Sequence, residues 1–86
     1  MANKKWIEAA DWPVRYRTSR GPGSGGVDSL MVEFEASAEA IGKCRVDVGA
    51  RVLESGTFQF TPGIDSKVIF SVGVGEQVKS VEFVKP

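Results

Sequence analysis

Ser29 to Ala38, SLMVEFEASA, alternates without a break. Leu30, Val32, Phe34, Ala36 and Ala38 fall on one parity, and Met31, Glu33, Glu35 and Ser37 on the other. Successive side chains of an extended strand point to opposite faces, so a period of two predicts a strand with one buried and one wet face. A helix would mix Glu33 with the apolar set.

The same pattern recurs along the chain. Trp12, Val14, Tyr16 and Thr18 share a parity, with Arg15 and Arg17 opposite them and Pro13 near the start, where a missing amide matters least. Lys43 to Gly49 sets Cys44, Val46 and Val48 against Lys43, Arg45 and Asp47, and Ala50 to Glu54 continues it as a short strand or bulge. Gly56 to Thr61 turns Phe58 and Phe60 inward. Ser66 to Val74 puts Val68, Phe70, Val72 and Val74 on one face and Lys67, Ile69 and Ser71 on the other. Val78 to Val84 closes with Val81 and Phe83 inward.

Six or seven short strands punctuated by glycine and proline predict an all-β fold, a small antiparallel β-sandwich of jelly-roll or Ig-like type. A partly open barrel is the alternative. The pattern divides the chain into an N-terminal arm, residues 1–11, and one sandwich domain, residues 12–86. Lys4 to Ala10 is compatible with a helical turn or an extended arm.

Ser19 to Asp28, SRGPGSGGVD, holds four glycines and a proline and predicts a surface loop too long for a tight hairpin. Glu39 to Gly42 predicts a turn, and Pro62–Gly63 another. The short link between SLMVEFEASA and KCRVDVG predicts a hairpin in which Lys43 and Arg45 face Glu35 and Glu33.

Bulk properties fit a single domain. A chain of 86 residues buries roughly 60 to 65% of its unfolded surface, enough for one thin core. With Cys44 the only cysteine there is no internal disulfide to add to it, so help from self-association is expected. Cys44 itself reads as a small buried hydrophobe. Net charge is zero but uneven: residues 1–20 carry a surplus of three positive charges and residues 21–86 a matching deficit. The basic segment is suited to an acidic surface, including one on a second copy. No apolar run approaches the roughly 18 to 20 residues of a membrane span. MANKKWIEAADW has no apolar stretch after its lysines, so a cytoplasmic location is expected, or incorporation into a virion.

The chemistry is sparse. Gly21 to Gly26 matches GxGxxG, but a strand rather than a helix follows it, so it lacks the helix N-terminus that would hold a pyrophosphate. There is no histidine, which removes the commonest general base and the usual nucleophilic triads. Glu33 and Glu35 are two carboxylates on a wet face, and Asp28, Asp47 and Asp65 lack the ligand spacing of a calcium loop. A non-enzyme with no cofactor and no metal is expected.

Arg15, Arg17 and Arg20 with Trp6 nearby resemble a single-strand nucleic-acid surface, but Trp12 and Tyr16 lie on the core parity and the chain is neutral overall, which disfavours nucleic acid. The ending, TFQFTP and KVIFSVGVGEQVKSVEFVKP, resembles the closing strands of carbohydrate-binding jelly-roll modules. That resemblance implies a sugar-binding alternative with Trp6 or Trp12 as the platform.

The leading expectation is a structural or interaction subunit of a homo-oligomeric or larger symmetric assembly, such as a bacteriophage capsid decoration or tail component. It would contact neighbours through the arm and the glycine-rich loop, with Trp6, Arg15, Arg17, Arg20 and Met31 as partner-binding residues. Met31 stands out as an apolar residue on a wet face. A small intracellular inhibitor is a further alternative.

Overall fold

A computed structural model describes residues 5–86; residues 1–4, the start of the expected arm, lie outside the described residues. Eight strands and no helix make up the described chain: β1 (Ile7–Glu8), β2 (Val14–Pro22), β3 (Val27–Ala36), β4 (Ala40–Asp47), β5 (Val52–Glu54), β6 (Phe58–Phe60), β7 (Ser66–Gly73) and β8 (Ser80–Val84). They form two antiparallel sheets. The first has the order β1-β2-β3-β7. In the second, β4 is central, with β5 and β6 paired to it in succession and β8 also paired to it. The sheets pack face to face and do not close into a barrel, as expected of a small β-sandwich.

The alternation explains the core. Val14, Leu30, Val32, Phe34, Cys44, Val46, Val48, Phe60, Val72 and Phe83 are buried, and every one lies on the predicted inward parity. Phe34 is the centre, with its ring edge-on to Phe58, Phe60 and Phe83 at centroid distances of 5.1, 5.3 and 5.7 Å. Such edge-to-face pairs add to the stabilisation from burial. Val74, expected inward, is 62% exposed because β7 stops at Gly73.

Three expectations are corrected. Strand β3 does not form a hairpin with β4. It pairs with β2 and β7, and residues 37–39 carry the chain to the other sheet. Glu35 and Glu33 therefore face Arg15 and Arg17, while Lys43 and Arg45 share Glu54. Both pairings satisfy the same charge rule, so the rule could not choose between them.

Second, residues 19–28 are not a long loop. Strand β2 runs to Pro22 and β3 starts at Val27, with Gly25 and Gly26 at φ 68° and 82° forming a tight connection. Third, Gly42 is not in a turn but buried inside β4. A β-carbon there would stand 2.6 Å from the Trp12 Cη2 and 2.8 Å from the Val84 carbonyl oxygen, so only glycine admits the indole.

Ser55 sustains the switch from β5 to β6 along one edge of β4. Its amide donates to the Cys44 carbonyl at 2.9 Å, and its hydroxyl accepts the Cys44 N–H at 2.9 Å. The side chain thus takes the place of a backbone ladder partner where the neighbouring strand changes.

Candidate functional site

The outer face of the first sheet gathers most of the candidate residues. Odd-numbered positions of β2, β3 and β7 share it, because the register aligns Arg17, Glu33 and Lys67 in one row and Ser19, Met31 and Ile69 in the next. Ile7 pairs with Tyr16 on the inner side and Glu8 with Arg15 on the outer. The chain before β1 places Trp6 over the arginines. The Arg17 guanidinium lies 4.4 Å from the indole centroid and that of Arg15 lies 5.2 Å from it. Each is within cation–π range. Residues 7–8 of the expected arm are therefore paired within their own sheet.

One end of this face is charged and already balanced. Arg15 pairs with Glu35, and Arg17 donates to Glu33 at 3.2 Å. The carboxylates of Glu35 and Glu33 are thus each held by a guanidinium. The other end is apolar: Met31 is half-buried and Ile69 is 60% exposed. Trp6, Arg15, Arg17 and Met31 thus lie on one surface. Ile69 belongs with them, a residue not among those expected to bind a partner. Its signal was visible, since Ile69 shares the outer parity with Lys67 and Ser71.

Arg20 does not join the group. It shares the parity of Val14 and Tyr16, not of Arg15 and Arg17, and it turns toward the end of the sandwich. Its guanidinium donates to Asp28 at 2.9 Å, to the carbonyls of Gly73 and Val74 at 2.7 and 3.2 Å, and to that of Glu76. These bonds tie the β2–β3 hairpin to the turn between β7 and β8. Arg51, in the connection between β4 and β5, holds the same turn from the other side. It donates to both carboxylate oxygens of Glu76, at 2.9 and 3.0 Å, and to the Ser71 carbonyl at 3.3 Å. Glu76 also accepts the Gly73 N–H at 2.7 Å. The Arg51 bonds first, and then the Gly73 amide, lower its pKa to about 2.

A second feature is a shallow apolar groove of about 560 Å³, lined by Trp12, Pro13, Ala40, Phe83 and Val84 with Asp11, Glu39 and Lys85 among its walls. Trp12 is half-buried, edge-on to Phe60 at 6.4 Å.

Burial pushes the Cys44 thiol up to about 12, so it is a packing residue without thiolate character. Asp47 accepts the Gly49 N–H at 2.7 Å in a local turn, and no group of three or more metal-ligating side chains occurs among the described residues. No helix is long and apolar enough to cross a membrane among the described residues. Comparison with protein-family models, with curated proteins and with solved structures finds no match to this chain.

Proposed function

We propose that the chain is a non-enzymatic interaction subunit of a symmetric homo-oligomeric assembly, with the outer face of the first sheet as its contact surface. A bacteriophage capsid decoration or tail component is the kind of assembly in view. The observation that carries this reading is the juxtaposition of Trp6, Arg15, Arg17 and Met31 with Ile69 on one exposed face. An aromatic residue held by arginines beside an apolar patch has the composition of an interface centre with a polar rim. The contact regions differ from those first expected: the face replaces the glycine-rich loop, which is a tight turn. Replacing Trp6→Ala and Met31→Lys together should weaken association roughly tenfold or more, as loss of a central anchor does, and leave the thermal transition nearly in place. Unchanged association in the double variant would overturn this choice of surface.

The groove at Trp12 favours a second reading, a carbohydrate-binding module. An indole beside two carboxylates offers a stacking surface and hydroxyl acceptors in one place. A glycan array that retains a ligand with Trp6→Ala but loses it with Glu39→Ala would support it; no retained glycan would remove it.

A further inference from the structure

The outer face of the first sheet leaves two charges over, and they stand on its opposite edges. Arg15 is matched by Glu35 and Arg17 by Glu33. Glu8 on β1 and Lys67 on β7 enter no ion pair among the described residues, and β1 and β7 are the two edge strands. Open backbone groups accompany both. In an antiparallel strand the N–H and C=O of one residue point to the same side, and that side alternates along the chain. The Ala9 amide donates to the Val14 carbonyl at 2.9 Å, so residues 7 and 9 turn toward β2 while Glu8, like Trp6, turns outward. On β7 the Ser71 carbonyl accepts from Arg51, and the Gly73 amide and carbonyl bond to Glu76 and Arg20. Lys67 and Ile69 share that outward side. The edge is therefore closed at residues 71 and 73 and open at 67 and 69. Apolar side chains line both openings: Ile7 is 52% and Ile69 60% exposed.

We propose that β1 of a second copy adds antiparallel to the open half of β7, with Glu8 opposite Lys67, so that the first sheets of the two copies run on as one. This rests on the assembly reading and names its contact. Charge complementarity argues for a second copy as the occupant. Within one chain Arg17, Glu33 and Lys67 form one outer row, and Glu8, Arg15 and Glu35 form the row beside it. Joined at Lys67 and Glu8 of the second copy, the two rows alternate in sign through all six positions, and each unlike pair favours this register. In the adjoining row Ser19, Met31 and Ile69 are followed by Trp6 of the second copy, so the apolar end of the face meets an indole. On the inner face the half-buried Val68 meets the exposed Ile7 of the second copy. The pairing engages only residues 67–69 and 6–8, so the bonds of Arg51, Glu76 and Arg20 at residues 71 and 73 stay in place. Because the two edges differ, the contact is heterologous, and its repetition builds a ring when the rotation between copies closes.

Antiparallel hydrogen-bonded partners have Cα atoms about 5.5 Å apart, within disulfide range. Under mild oxidation a mixture of the full chains carrying Glu8→Cys and Lys67→Cys should form a disulfide-linked dimer. Either chain alone should stay monomeric on a denaturing gel. Both positions are exposed, so the substitutions spare the core, and the native Cys44 is buried. Ser71→Cys in place of Lys67→Cys lies about 13 Å further along the strand and should not cross-link to Glu8→Cys. Glu8→Lys sets like charges opposite each other and should weaken association roughly twofold to tenfold. An oligomeric parent whose Glu8→Cys and Lys67→Cys chains cross-link no better than Glu8→Cys with Ser71→Cys would overturn this contact while leaving the assembly reading intact. A monomeric parent would overturn both.

Discussion

The indole of Trp12 rests directly on Gly42. A methyl group at position 42 would stand 2.6 Å from Cη2 and 2.9 Å from Cζ3, with the Val84 carbonyl closing the other side at 2.8 Å. Gly42→Ala should therefore destabilise by about 1 to 3 kcal/mol through overpacking against backbone that cannot yield. Urea denaturation checks this. Adding Trp12→Leu should recover part of the loss, because it removes one of the two clashes.

Ser55→Ala should cost about 1 to 3 kcal/mol, since the buried Cys44 N–H loses its acceptor where no strand can replace it. Amide exchange at Cys44 should accelerate more than at Val46, whose neighbours in β5 and β8 remain in place.

Arg20 and Arg15 should separate by role. Arg20→Ala removes bonds to Asp28 and to three carbonyls and should cost about 1.5 to 3 kcal/mol, with Arg20→Lys only a partial substitute because an ammonium lacks the planar fork. Arg15 is 45% exposed at its side chain, and Arg15→Ala should cost about 0.2 to 1 kcal/mol, as surface pairs do. Thermal denaturation of both variants in one buffer measures the contrast.

Glu76 gives a pH signature. Its pKa is about 2 in the folded chain, against an ordinary value of 4.5. A lowered pKa stabilises the fold fully above about 4.5, and that contribution is lost as the pH falls toward about 2. The midpoint of unfolding should therefore drop across this window. Glu76→Gln should start lower at neutral pH and lose less on acidification.

The core and the strands were legible because parity is a local property. Whether Phe34 or Val46 points inward depends only on its neighbours in sequence. Strand order was not legible. Glu33 and Glu35 could face either Arg15 and Arg17 or Lys43 and Arg45, and only the closure of the whole sandwich chooses. The glycine-rich composition of residues 19–28 masked a strand that Arg20 anchors from the inside, although its shared parity with Val14 and Tyr16 carried the hint. Trp6, Arg15, Arg17 and Met31 met on one face because outer parity is local too. Their neighbour Ile69 required the pairing of β3 with β7.

The most direct test of the assembly claim is the mass of the unmodified chain by sedimentation equilibrium, from about 1 to about 100 µM, where contacts of modest affinity fill. The predicted result is a concentration-dependent rise from 9.3 kDa toward a multiple of it. A mass of 9.3 kDa across the whole range would contradict the account.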